Sequence, residues 1–179
     1  KPFSLDFETL DKEKKSNNLL HKCFSKFDIS LKVFDLTAGF CKDACSIANM
    51  GFQVTAYEKE SWLFEFNKTC LGPLKKSNLN LINLNSIKAL KKVTKKDILF
   101  LDPMFEINSR ASAKKEIQFL RKCISTSSEK EIIDAAQKSS AGVIIIKRHK
   151  LSNSQNPTKP SYVIKGKVIS FEVFDRRAV

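Results

Sequence analysis

Leu31-Lys-Val-Phe-Asp-Leu-Thr-Ala-Gly39-Phe-Cys-Lys-Asp43 carries the signal that decides the fold. Its first six residues form a short, largely apolar run with the character of a strand, broken at Thr37-Ala38-Gly39. A glycine directly after a strand lets the backbone turn sharply and lets a ligand come close to the main chain. From Lys42 to Met50 small and apolar residues recur at helical spacing (Ala44, Ile47, Ala48), and Gly51 stands where such a helix stops. Strand, glycine loop and helix together open an α/β sheet, and the free N–H groups of the helix start face whatever the loop binds.

Outward from that unit the alternation continues. Phe52 to Tyr57 reads as a strand, and Ser61 is expected to cap a helix with Trp62, Leu63 and Phe66 on its buried face and Gly72-Pro73 at its end. Leu79 to Leu84 and Asp97 to Leu101 read as strands, the second stopped by Asp102-Pro103. Ser112 to Ile124 and Glu129 to Lys138 read as helices, and Gly142 to Ile146 as a strand buried on both faces. After a polar loop over Ser152 to Ser161, Tyr162 to Lys165 and Val168 to Phe174 form a hairpin around Gly166. The expected fold is α/β and Rossmann-like: a mostly parallel sheet covered by helices, closed by a C-terminal antiparallel hairpin. Residues 1–30 are expected to be an N-terminal segment and 31–179 one domain.

The 179 residues carry 32 Lys and Arg against 19 Asp and Glu, a net charge of +13. That excess attracts polyanions and releases counterions on contact, which makes nucleic acid the leading partner. No apolar run has the length a membrane helix needs, and no signal-peptide pattern follows Lys1. The opening on Lys1 rather than Met suggests that residues lie upstream. Cys23, Cys41, Cys45, Cys70 and Cys123 are scattered with no Cys-x-x-Cys pair, and only Cys23 lies near a histidine, His21. This spacing argues against zinc and against a disulfide framework, so no metal is expected and reduced thiols fit a cytoplasmic protein.

Ligands of such sheets bind beyond the carboxyl ends of the strands, which directs attention to the loops there. Glu58 ends the second strand nineteen residues past Gly39, a distance that suits a carboxylate accepting from two ribose hydroxyls. Gly39 and Glu58 together indicate an adenosine-containing cofactor; the spacing alone leaves nicotinamide and S-adenosylmethionine both open. Asp102-Pro103-Met104-Phe105 has the pattern of the Asp/Asn-Pro-Pro-aromatic motif of amino-methylating enzymes. An exocyclic amine is a poor nucleophile because its lone pair is delocalised into the ring. Asp102 and the Pro103 carbonyl are placed to accept its N–H bonds and aim the lone pair, while Phe105 stacks on the extruded base. Lys114, Lys115, Lys147 and Arg148 are the candidate RNA contacts. Lys147 and Arg148 leave a buried strand at the edge that also carries Asp102, and are expected to grip phosphate more than Lys91 and Lys92 do.

These motifs resemble one family, the bacterial 16S rRNA guanine-N2 methyltransferases called small-subunit methyltransferase J. The resemblance covers about Leu31 to Asp175, carried by Phe34-Asp-Leu-Thr-Ala-Gly39 with Lys42-Asp-Ala44, Leu101-Asp-Pro-Met-Phe105, Lys114-Lys-Glu116, Ile146-Lys-Arg148 and Lys165-Gly166. It implies a class I S-adenosylmethionine-dependent methyltransferase catalytic domain over 31–179, and methylation of guanine N2 in small-subunit rRNA. By position it assigns cofactor contacts to Lys42, Asp43, Glu58, Lys59, Asn85, Ser86 and Asp102. Cys41 stands where the family has a second loop glycine, Glu106 replaces a proline, and Ser16-Asn17-Asn18 replaces glycines in the N-terminal segment. An amino-methyltransferase for another RNA or DNA base, and a non-catalytic RNA-binding relative, are the alternative readings.

Overall fold

The computed structural model describes residues 19–74, 76–103, 129–150 and 158–177. Seven strands form one sheet: β1 (Lys32–Asp35), β2 (Gln53–Glu58), β3 (Leu79–Asn83), β4 (Asp97–Leu101), β5 (Val143–His149), β6 (Tyr162–Lys165) and β7 (Ile169–Asp175). Their order is β3-β2-β1-β4-β5-β7-β6. β1 to β5 pair in parallel, while β7 runs antiparallel to both β5 and β6. The helices are α1 (Leu19–Phe24), α2 (Lys42–Asn49), α3 (Ser61–Leu71) and α4 (Glu129–Lys138), with 3-10 turns at Gly72–Leu74 and Ser86–Lys92. The expected strand-helix alternation and closing hairpin are both present. The expected helix over Ser112 to Ile124 and most of the loop from Ser152 lie outside the described residues.

Period-two alternation sorts the strand side chains into two cores. Val33, Ile98, Phe100, Val143, Ile145, Phe171 and Val173 face α1 and α2, where they meet Phe24, Ala44, Ile47 and Ala48. Leu36, Leu99, Leu101, Ile144, Ile146 and Phe174 face the opposite way, against Ile133 and Ala136 of α4. β4 is therefore buried along its whole length, as a central parallel strand covered on both faces must be. Residues before Leu31 share this interior: Leu20, Cys23, Phe24 and Phe27 are all in the first core.

Three local expectations are corrected. Trp62 is 39% exposed, because α3 presents Leu63 and Asn67, four residues apart, to the interior and Trp62 lies about 100° around the helix from Leu63. Ser61 is the first helical residue rather than the cap; Glu60 holds the cap position without a side-chain hydrogen bond, and the Ser61 hydroxyl donates to Asn83 Oδ1 at 3.0 Å. β5 runs on to His149, because antiparallel pairing with β7 continues from Val143↔Asp175 to His149↔Ile169.

Gly142, at the entry to β5, is required by close approach. A Cβ there would lie 2.0 Å from the Lys95 carbonyl oxygen and 2.9 Å from its carbon, both backbone atoms that cannot swing aside. Gly142→Ala is expected to cost about 1–3 kcal/mol and to lower Tm by roughly 3–10 °C in thermal unfolding. A variant melting within about 1 °C of the parent would show that the Lys95 turn yields freely.

Candidate active site

The strand order reverses between β1 and β4, and a crevice opens beyond the carboxyl ends of two such strands. The Leu36 N–H donates to the Phe100 carbonyl at 2.9 Å, so the loops after β1 and β4 leave side by side. They are tied together: the Asp102 N–H donates to Thr37 Oγ1 at 2.7 Å, and the Thr37 N–H donates to Asp35 Oδ1 at 3.0 Å.

The glycine loop is left-handed twice, at Gly39 (φ 51°) and at Cys41 (φ 57°). Cys41 occupies the position where the family resemblance expects a glycine, and its backbone adopts the region glycine favours. The loop keeps its turn despite the Cβ, at a cost of about 1–2 kcal/mol. The Cys41 N–H donates to the Ala38 carbonyl at 2.7 Å, and the Cys41 carbonyl accepts from the Cys45 N–H at 2.9 Å, which starts α2. Burial raises the Cys41 thiol pKa well above its ordinary value, so this sulfur is packing rather than a nucleophile.

Glu58 closes the loop from β2. Its Oε2 accepts from the Gly39 N–H at 3.1 Å and its Oε1 from the Glu60 N–H at 2.8 Å. The residue is 6% exposed, and burial raises its pKa against the lowering effect of those two backbone donors. Each carboxylate oxygen retains a further lone pair for a ligand hydroxyl. From α3, Asn67 Nδ2 donates to the Gly39 carbonyl at 2.6 Å. Asn67 is fully buried, and its Oδ1 has no hydrogen-bond partner among the described residues. Sequence reading missed Asn67; its signal was a polar residue one helical turn after Leu63, on the buried face.

Alternation also explains the charges at the edge. Asp35, Asp102 and Lys147 continue the odd or even series of Val33, Ile98-Phe100 and Val143-Ile145, the series that faces α2. Asp43 enters from the first turn of α2. The Lys147 ammonium donates to Asp43 Oδ2 at 2.6 Å and to Asp102 Oδ2 at 2.8 Å. Burial opposes the Lys147 charge, yet Asp43 and Asp102 together raise its pKa above the ordinary lysine value. Asp102 is raised to about 6, by desolvation first and by Asp43, with Lys147 pulling it down. Asp35, 1% exposed, is raised to about 8, mainly by burial.

Other candidates fall into different places. Pro103 is buried beside Asp102. Lys42 opens α2, and Lys59 lies 3.9 Å from Glu60. Asn85 Oδ1 caps the 3-10 turn by accepting from the Ile87 N–H at 3.1 Å. The Ser86 hydroxyl donates to the Leu36 carbonyl at 2.8 Å, holding the end of β1. The expectation that Lys147 and Arg148 grip phosphate is corrected. Lys147 is held inward by two carboxylates, and Arg148 is 5% exposed with its Nε 3.1 Å from Glu172 Oε2. Consecutive strand residues face opposite sides, so the two never act as one basic patch. Phe105, Lys114 and Lys115 lie outside the described residues.

Comparison with known proteins identifies the family and the fold. The family model described as "Putative SAM-dependent methyltransferase" matches residues 9–176. The chain is 28% identical over 174 residues to the ribosomal RNA small subunit methyltransferase J of Buchnera aphidicola, covering 90% of this chain and 70% of that protein. It is 28% identical over 151 residues to the protein of the same name from Coxiella burnetii, covering 79% and 59%. The chain thus spans between 59% and 70% of the length of these two curated relatives. Among solved structures, a SAM-dependent methyltransferase from Neisseria gonorrhoeae superposes with a TM-score of 0.73 at 21% identity, over 99% of this chain and 76% of that one. A T. thermophilus 16S rRNA N2 guanine methyltransferase, solved with AdoMet and guanosine, gives 0.63 at 16% identity, over 89% and 42%. At such identities the structural likeness is one of fold.

Proposed function

The chain belongs to the SAM-dependent methyltransferase family, and we propose that it transfers the methyl group of S-adenosylmethionine to N2 of a guanine in 16S rRNA. The observation that carries this reading is the Asp102-Pro103 end of β4 lying against the glycine loop of β1, joined through the 2.7 Å bond from the Asp102 N–H to Thr37. The residues present suit the cofactor. Asp43, Asp102 and Glu58 offer carboxylates to a ligand that carries a sulfonium and an ammonium, and the buried Asn67 Oδ1 has no hydrogen-bond partner among the described residues.

When bound, the cofactor supplies a methyl group activated by its sulfonium. Glu58 accepts the ribose hydroxyls, the Gly39 loop and the start of α2 hold the remainder, and Lys42, Asp43, Lys59 and Asn85 flank it. Ser86 contributes by fixing the end of β1. Asp102 and the Pro103 carbonyl accept the hydrogens of the guanine amine, so that the lone pair is aimed outward. Asp102 also stabilises the positive charge that develops on nitrogen. Phe105 stacks on the base. A ribosomal RNA substrate is consistent with a cytoplasmic protein, and no described helix is long and apolar enough to cross a membrane.

The reading is tested by incubating the protein with labelled S-adenosylmethionine and ribosomal particles lacking the modification, then mapping the labelled base. Label at a guanine N2 of 16S rRNA supports it; label on another base or in DNA assigns a different amino substrate, and cofactor and RNA binding without transfer assigns a binding protein.

RNA affinity is expected to rest on exposed charge. Lys91 and Lys92 are exposed on the 3-10 turn, and replacing both with alanine is expected to lower the salt slope of RNA binding by about one unit per charge. Arg148→Ala is expected to leave the slope unchanged while lowering stability, since it removes the part-buried ion pair with Glu172. A slope that falls with Arg148→Ala and holds without Lys91 and Lys92 would reverse this assignment.

A further inference from the structure

Three adjacent strands deliver ionisable groups to one face at the carboxyl edge, and α2 adds a fourth. Asp35 ends β1, Asp102 follows β4, Lys147 rises from β5, and Asp43 sits in the first turn of α2. The Lys147 ammonium is the sole cation of the four and spans both flanking acids, at 2.6 Å from Asp43 and 2.8 Å from Asp102. Both contacts use the Oδ2 atoms. The Lys147 contact does not use Asp102 Oδ1, and the Asp102 backbone is fixed independently by Thr37.

We infer that Lys147 is a positioning residue for methyl transfer: it clamps Asp102 by Oδ2 and keeps it ionised, leaving Oδ1 to receive the guanine amine. The inference rests on the amino-methylation reading of Asp102. Its physical basis is that Asp43 and Asp102 accept from the same ammonium, so their charges lie close enough to repel. An opposite charge at hydrogen-bond distance lowers a carboxyl pKa by about 1–3 units, and a like charge or burial raises it. Among the described residues, the groups that face Asp102 are Asp43 from α2, Asp35 from β1, Lys147 from β5 and the Thr37 hydroxyl. Burial raises Asp35 to about 8, which favours its neutral form, and the Lys147 ammonium lies against both Asp43 and Asp102. With Lys147 intact, Asp102 titrates near 6 and is ionised at neutral pH. Without the ammonium its pKa rises, and protonated Asp102 loses an acceptor and the charge that stabilises the forming ammonium.

The same clamp joins the cofactor side of the crevice to the amine side, because Asp43 begins the helix that follows the glycine loop. Lys147 thereby holds two separately anchored loops in one register. This commitment inward also explains why an exposed phosphate contact is not its role.

Two readouts test the inference. The first is direct titration of the Asp102 carboxyl by 13C NMR in the protein without substrate, comparing wild type, Lys147→Met and Lys147→Arg. The expected result is an upward move of about one to three pH units in Lys147→Met and near-restoration in Lys147→Arg. The second is the pH profile of kcat at saturating cofactor: the acid limb moves up by the same amount in Lys147→Met, so that activity lost at pH 7 returns as the pH is raised. If Lys147→Met does not fold, Lys147→Gln and Lys147→Arg carry the same titration. An Asp102 titration that is unmoved in Lys147→Met and Lys147→Gln overturns the inference, as does a kcat loss in Lys147→Met that is uniform with pH. A wild-type protein that methylates no guanine overturns the amino-methylation reading instead, and the carboxyl titration distinguishes the two failures.

Discussion

Replacing Asp102 with alanine is expected to lower kcat by on the order of a hundredfold, with RNA affinity unchanged. The amine nitrogen loses its conjugation with the ring and gains positive charge only as the methyl is transferred, so an acceptor at Asp102 acts mainly in the transition state. RNA affinity depends on phosphate contacts made elsewhere. The fold should survive, because Lys147 keeps its 2.6 Å bond to Asp43 and the loop keeps its backbone position through Thr37. Asp102→Asn retains an acceptor but loses the charge, and is expected to fall between the two, at roughly a tenfold loss. Rates are to be compared at saturating cofactor, because Asp102 borders both ligands. An Asp102→Ala protein that methylates at the parental rate would show that the amine is held by other groups.

How much of this was legible in the sequence depends on which periodicity was followed. The parallel sheet was legible because apolar runs such as Gly142 to Ile146 leave a chain no choice but burial on both faces. That the glycine loop and Glu58 come together was legible, because a glycine turn after one strand and an acid at the end of the next reach the same sheet edge, where the Gly39 N–H donates to Glu58. Lys147 was misread although its signal was present. Val143, Ile145 and Lys147 alternate in the same phase as Ile98, Phe100 and Asp102, so two-residue periodicity alone sets the lysine and the aspartate on one face. Reading Lys147 and Arg148 as a basic pair ignored that neighbours on a strand point apart. Arg148 in turn found Glu172, a partner supplied by antiparallel β7, and such pairing across distant segments has no local mark in the chain.

Other contacts were hidden for a related reason. Ser86 resembles a ligand-binding residue by position, but its hydroxyl satisfies the Leu36 carbonyl fifty residues away, a partner known only once β1 and the 3-10 turn are packed. Cys41 departs from the glycine that the family resemblance leads one to expect. The backbone nonetheless holds the left-handed turn at φ 57°, because the Ala38 carbonyl and the start of α2 fix it from both sides. Packing, rather than residue preference, decides that conformation.

Glu58→Ala is expected to weaken S-adenosylmethionine binding by on the order of a hundredfold, the scale of two hydrogen bonds to a charged acceptor. The carboxylate has a second role that confuses a simple comparison. It accepts from the Gly39 N–H at 3.1 Å and from the Glu60 N–H at 2.8 Å, so its removal also loosens the glycine loop. A ligand change separates the two effects. An S-adenosylhomocysteine analogue without ribose hydroxyls should bind the parent far more weakly than the complete ligand, and should bind Glu58→Ala about as well as the complete ligand. Loosening of the loop alone would weaken both ligands by the same factor and leave their ratio intact. The pH dependence has a definite sign: burial holds the Glu58 carboxyl above its ordinary pKa, so affinity falls as the pH drops through that raised value and the acceptor is lost. Titration calorimetry with both ligands measures the ratio directly. A parent protein that does not distinguish them would remove Glu58 from the ribose and leave it as the strut of the glycine loop.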